Sequence, residues 1–173
     1  WLHPAGLLLA DSAATVGASM AKVGKGASLV GLGVAAASVK MAGDFEAHTA
    51  VLQTAAGETA DGLKVVRKGI LSISEGTGTG IKNLTDGMYT IEKAGFRGSK
   101  GLQVLKAAAQ GAREENANLA DVTNAMTSIM ASYHLKADKS VQVMNAMKTA
   151  AGEGKITMEE FSGALSTVLP IAS

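Results

Sequence analysis

GLQVLKAAAQGAREENANLADVTNAMTSIMASYHLKAD, residues 101–138, contains two helical patterns and the punctuation that separates them. Leu102, Leu105, Ala109 and Ala112 step by three and four, and so do Leu119, Val122, Met126, Ile129 and Tyr133, the spacing of an apolar stripe along one helix face. The pattern extends outward in both directions. Upstream lie Leu63, Val66, Ile70 and Ile73, then Ile81, Leu84, Met88 and Ile91; downstream lie Val141, Met144, Met147 and Ala151, then Phe161, Leu165, Val168 and Leu169. A shorter stripe of Phe45, His48, Leu52 and Ala55 ends at Gly57. Breaks fall at GTGTG (76–80), AGFRGS (94–99), HLKAD (134–138) and GEG (152–154). Thr157 with Glu160 forms a capping box, and Asp44, Ser99, Asn118 and Asp138 are the other expected N-caps.

These segments resemble one another. LKVV from Leu63, LQVL from Leu102 and VQVM from Val141 begin thirty-nine residues apart. LTDGMYTI from Leu84, VTNAMTSIM from Val122 and FSGALSTVL from Phe161 keep apolar, hydroxyl and small residues in register. A repeated pair of helices is the expected unit. The fold class is therefore all-α: one long Ala/Gly-rich N-terminal helix, then about six short amphipathic helices, each roughly 20 Å long, in a repeated helical-hairpin arrangement.

The long helix rests on VGASMAKVGKGASLVGLGVAAASVKMAGDF, residues 16–45. Gly17, Gly24 and Gly31 recur every seven residues, and Gly26 and Gly33 repeat the interval. Seven residues are two turns, so the glycines form a stripe that another backbone can approach closely. Each glycine costs about 1 kcal/mol against alanine in a helix interior, so this helix calls for a partner: a copy of itself, a bilayer or the wall of a larger assembly. Fourteen uncharged residues separate Lys25 from Lys40, with Leu29, Val30 and Leu32 at their centre. That is about 21 Å of helix, short of a membrane span unless Lys22 and Lys25 snorkel, and a transmembrane helix stands as one expectation. The break at Gly43-Asp44 divides the chain into an Ala/Gly-rich apolar segment, 1–43, and a helical domain, 44–173. The opening WLHPAG has neither an initiator methionine nor a basic leader and reads as a piece of a longer polypeptide.

Composition narrows function. Apolar residues are 47% of the chain but aromatics only 3%, which suits closely packed thin helices better than a β-sandwich. Both prolines, Pro4 and Pro170, sit near the ends. The absence of cysteine excludes disulfides and thiolate metal sites. A net charge of +1 without basic clusters argues against sequence-specific nucleic-acid binding. His3, His48 and His134 lack metal-site spacing, with no carboxylate or second histidine four residues on. Glu114-Glu115 and Glu159-Glu160 are adjacent and point about 100° apart on a helix, so they are surface or capping acids. Gly76 to Gly80 with Lys82 imitates a phosphate loop but lacks its spacing and a preceding strand. Met126, Met130, Met144 and Met147 fall at helical spacing, as core filling or as an adaptable contact surface. No catalytic residues, cofactor or metal are expected, and the chain does not read as an enzyme.

The order AGDFEAHTAVLQTAAGET, ISEGTGTG, NLTDGMYTIEKAGFRG, NANLADVTNAMTSIMASYHLKAD resembles the conserved helical region of tail tape-measure proteins of long-tailed bacteriophages. In that family a glycine- and alanine-rich apolar segment precedes a Phe-Glu start, here Phe45-Glu46, and a later helix ends in Ala-Gly, here Ala94-Gly95. The likeness covers residues 41–170 and carries no catalytic signature. It implies a structural protein lying in the tail lumen or tail tip of the virion, setting tail length and released ahead of DNA into the host envelope. Its implied partners are copies of itself, trimers included, tail-tube and tail-tip proteins, tail assembly chaperones and the host membrane. A helical pore-forming or translocated membrane-active protein, and a helical repeat scaffold for a cellular partner, remain the alternatives.

Overall fold

The computed structural model describes residues 43–54 and 56–168, and all regular structure among them is helical. Helix α1 comprises residues 43–54. It is followed by α2 (Ala60–Thr77), α3 (Ile81–Lys93), α4 (Gly98–Glu114) and α5 (Leu119–Ser132). A 3-10 turn, Ala137–Lys139, leads into α6 (Ser140–Gly154) and α7 (Met158–Val168). The all-α expectation holds for these residues. The long helix expected within residues 1–43, with its glycine stripe, lies outside them.

From α2 onward each helix packs on the next, and alternate helices also touch: α2 with α4, α4 with α6, α3 with α5, and α5 with α7. Helix α4 therefore contacts α2, α3, α5 and α6. Such a position favours short side chains, and beside Val104 and Leu105 α4 buries Gly101, Ala107, Ala108, Ala109, Gly111 and Ala112. The core continues through Leu63, Val66 and Ile70, through Leu84, Met88 and Ile91, and through Val122, Met126 and Met130. Met144 and Met147 are buried with them, so all four methionines at helical spacing fill the core.

Four helices end in the same way. The carbonyls of Ile91, Ala112, Met130 and Ala151 accept from the N–H groups of Phe96, Ala117, Leu135 and Ile156 at 3.1, 2.8, 2.8 and 3.1 Å. The residue before each donor is left-handed: Gly95 (φ 95°), Asn116 (51°), His134 (51°) and Lys155 (55°). This cap satisfies carbonyls that a helix end otherwise leaves unpaired. Phe96, Ala117 and Leu135 then fold back against the core. At the N-termini, Gly62 N–H donates to Thr59 Oγ1 at 3.0 Å and Ala120 N–H to Asn118 Oδ1 at 2.8 Å. The Thr157–Glu160 box closes both ways, at 2.8 and 3.2 Å.

Several expectations are corrected. Tyr133, 70% exposed, caps α5 where the chain leaves the helix, and does not continue its buried stripe. Val141 is 58% exposed; Val143 takes its place, because Val143, Met147 and Ala151 share the inward face of α6. His48 is exposed and Thr49 buried, and Val168 is exposed. Ala55 and Leu169 lie outside the described residues. Asp44 is already helical, Ser99 follows Arg97 as the N-cap of α4, and Asp138 sits inside the 3-10 turn, so none of the three is a cap. GEG does not interrupt α6, which runs through Gly154 before the left-handed Lys155.

The transmembrane expectation is also corrected for the described residues: no helix among them is long and apolar enough to cross a membrane, while the stretch between Lys25 and Lys40 lies outside them. The longest, α2, has 18 residues, about 27 Å, but carries Asp61, Lys64, Arg67, Lys68 and Glu75. Those five charges exclude it from hydrocarbon.

Glycine sets several close approaches between helices. Gly69 of α2 receives the Leu102 side chain, and Gly111 of α4 receives Met144. A Cβ on Gly101 would lie 2.6 Å from the Phe96 carbonyl oxygen, a backbone atom that cannot swing aside. Gly152, within α6, has open space around it. We expect Gly101→Ala to lower stability by about 1–3 kcal/mol despite alanine's helix propensity. Gly152→Ala should raise it by about 0.5–1 kcal/mol. Urea midpoints of the two variants moving in the same direction would refute this account of the notch.

Candidate functional site

The family-like residues bracket the joint between the first helices. Phe45 is half-buried against the core. Glu46 meets Arg67 of α2, whose Nη1 lies 3.8 Å from the Glu46 carboxylate and whose Nε donates to Thr49 Oγ1 at 2.7 Å. Ala94-Gly95 forms the left-handed cap of α3, with the Gly95 N–H donating to the Glu92 carbonyl at 3.0 Å. That turn delivers Glu92 and Arg97 to the connector between α1 and α2. Arg97 Nη1 donates to the Gly57 carbonyl at 3.3 Å, and Gly98 N–H donates to Glu58 Oε2 at 2.8 Å. Glu58 Oε1 accepts from Thr59 N–H at 3.0 Å.

Two acidic side chains thus meet inside the fold. Glu58 and Glu92 are 6% and 1% exposed. Burial pushes the Glu92 carboxyl from its ordinary 4.5 up to about 8. The neighbouring Glu58 carboxyl adds to the shift, and Arg97 opposes it. The proton is what makes the pair tolerable, because neither Glu92 oxygen has a hydrogen-bond partner among the described residues, and an ionised Glu92 would stand buried and uncompensated beside Glu58. The arrangement is closed to solvent at Glu92, so its chemistry is that of a structural clasp, in which Glu58 accepts from Gly98 N–H and a protonated Glu92 is buried beside it.

Sequence reading missed this clasp, although one signal was present: Thr85, Met88 and Glu92 share a face of α3, which places an acid on the apolar stripe. The paired acids Glu114 and Glu115 both reach Lys148 of α6, at 2.6 and 3.5 Å, and Glu114 holds the lysine above its usual range. Gly76 to Gly80 does not cradle an anion: Lys82 turns to Asp86 at 2.6 Å, and Arg113 donates to the Gly76 carbonyl at 3.2 Å. Asp86 also lines the depression beside Gly78 and Thr79. Among the described residues no group of histidines and acids is placed to hold a metal ion. Gly17, Gly24, Gly26, Leu29, Val30, Gly31, Leu32 and Gly33 lie outside the described residues, as does His3.

The sequence matches the family model described as phage-related minor tail protein over residues 67–173. It is also similar to the tape measure protein of Pneumococcus phage Dp-1, with 25% identity over 161 residues that cover 91% of this chain and 14% of that protein. The chain thus spans only a small part of the curated relative it matches. No solved structure matches.

The clasp gives stability a pH dependence of defined sign. Between 4.5 and about 8 the folded chain keeps the Glu92 proton while the unfolded chain releases it, so raising pH through that window removes stability, on the order of a few kcal/mol. Glu92→Gln, which keeps a donor and cannot ionise, should flatten the decline. Thermal melts from pH 5 to about 9 check this, and parallel profiles for the two proteins would overturn it.

Proposed function

This chain belongs to the phage-related minor tail protein family, whose role is structural and not catalytic, and on that premise we propose that it is a portion of a tail tape-measure protein. The carrying observation is a recurrence along the chain. The left-handed caps Gly95 and His134, and again Asn116 and Lys155, stand thirty-nine residues apart, the interval at which LKVV, LQVL and VQVM recur. A chain of equal helix pairs joined through neighbouring contacts gains or loses length in steps, the property a ruler needs. The similarity to a curated tape measure protein supports the same reading.

In this proposal residues 44–173 form repeated helical hairpins and residues 1–43 form the long helix. The glycine stripe of Gly17, Gly24, Gly26, Gly31 and Gly33 is its packing seam with further copies. The assembly lies in the tail lumen with tail-tube and tail-tip proteins, is loaded with tail assembly chaperones, and leaves ahead of DNA during genome delivery. Compact hairpins and a drawn-out helical form are then two states of the same sequence.

In the phage that encodes it, removing the codons for residues 99–137 in frame should shorten the tail by about 60 Å, the length of that segment as helix. Electron micrographs showing unchanged tails would overturn the ruler reading. For the seam, replacing Gly17, Gly24 and Gly31 with leucine should lower the oligomer mass in light scattering, and an unaltered mass would remove the stripe as an interface.

A further inference from the structure

Helix α4 seats α6 on a face of small residues. Ala107 and Ala108 are buried, Gly111 receives Met144, and Glu114 pairs with Lys148. Thirty-nine positions later, on α6, stand Ala146, Met147, Ala150 and Glu153. Here the outer face is left open by the described residues: Ala146 is exposed and Ala150 half-buried, beside an apolar groove of about 470 Å³ floored by the buried Val143 and Met147 and walled by Ile129 and Phe161. The described residues therefore carry the same kind of helix-seating face twice, once covered and once left open by them.

The charges on that face are self-complementary. Lys139, on the groove, and Glu153 are both exposed, and neither has an ion pair among the described residues. They lie at equal distances in sequence either side of Ala146, as do Gln142 and Ala150. Turned antiparallel about a two-fold axis at Ala146, one α6 sets its Glu153 against Lys139 of another, twice. The alanine at the axis lets the two backbones come close, as Gly111 does for α6 on α4.

We propose that the open face of α6 is a two-fold interface with a second copy of this chain, centred on Ala146 and registered by Glu153–Lys139 pairs. The proposal goes beyond the tail role and does not depend on it or on the glycine stripe. A ruler that fails the tail-length test leaves this interface standing, and an interface that fails leaves the ruler standing.

The chain has no cysteine, so single introductions report cleanly. Under mild oxidant Ala146→Cys should form a disulfide-linked dimer, whereas Lys64→Cys on α2 should not. Glu153→Lys and Lys139→Glu, each alone, should weaken dimerisation at least tenfold in sedimentation equilibrium, and the double exchange should restore it to within threefold. Circular dichroism confirms that each variant is folded. No cross-link at Ala146, cross-linking at Lys64 of equal yield, or a double exchange no better than the singles would each overturn the proposal. A chain that stays monomeric overturns it too and assigns the groove to a helix of another polypeptide.

Discussion

The enclosure of α4 is the constraint from which the rest of the structure follows. A helix with neighbours α2, α3, α5 and α6 has little room for long side chains over much of its surface, and its sequence LKAAAQGA is what that crowding requires. Small residues weaken each contact, since hydrophobic gain scales with the area removed from water. The larger side chains are therefore moved to the neighbours. Leu84, Met88, Met126 and Met144 supply the volume, and Gly101 and Gly111 of α4 receive the tips of Met88 and Met144. Methionine suits this work because its flexible chain fills irregular gaps.

Helix ends are held with equal economy. The four left-handed caps at Gly95, Asn116, His134 and Lys155 turn the chain in a few residues and return an apolar side chain to the core at most of them. Only one of the four is glycine, and each of the others bears a cost of roughly 1–2 kcal/mol for its Cβ. The cap bonds and the returning side chains offset it. The joint between α1 and α2 adds polar ties, Arg67 to Glu46 and Thr49, to the buried Leu52, and where α3 meets the start of α2 the protonated Glu92 stands against Glu58. A clasp made of a proton is weaker at high pH than an apolar contact, so this is the joint whose strength the solution controls.

These features suit a structural component of a phage tail. The described contacts run between neighbours and next neighbours in the helix series, so the series can be extended without redesigning its interior. Interfaces built from alanine, glycine and methionine repack at low cost, which is compatible with a chain that is folded at one stage and drawn out at another.

The helical class, most of the inward stripes and most breaks were legible in the sequence because they depend on local periodicity and on residues that cap or interrupt a helix. Leu63, Val66, Ile70 and Ile73 are buried as their spacing requires, and Thr157 with Glu160 closes the box that their identities specify. Tyr133 and Val141 show the limit, since a stripe does not reveal where the neighbouring helix stops. Only tertiary packing decided that Gly101 must remain glycine while Gly152 need not, because the difference lies in what stands opposite. It also decided that Glu92 is buried beside Glu58, thirty-four residues away, and keeps its proton, and that the outer face of α6 is left open by the described residues while the matching face of α4 is filled. Periodicity is a property of a segment alone; a notch, a retained proton and an open face are properties of two segments brought together.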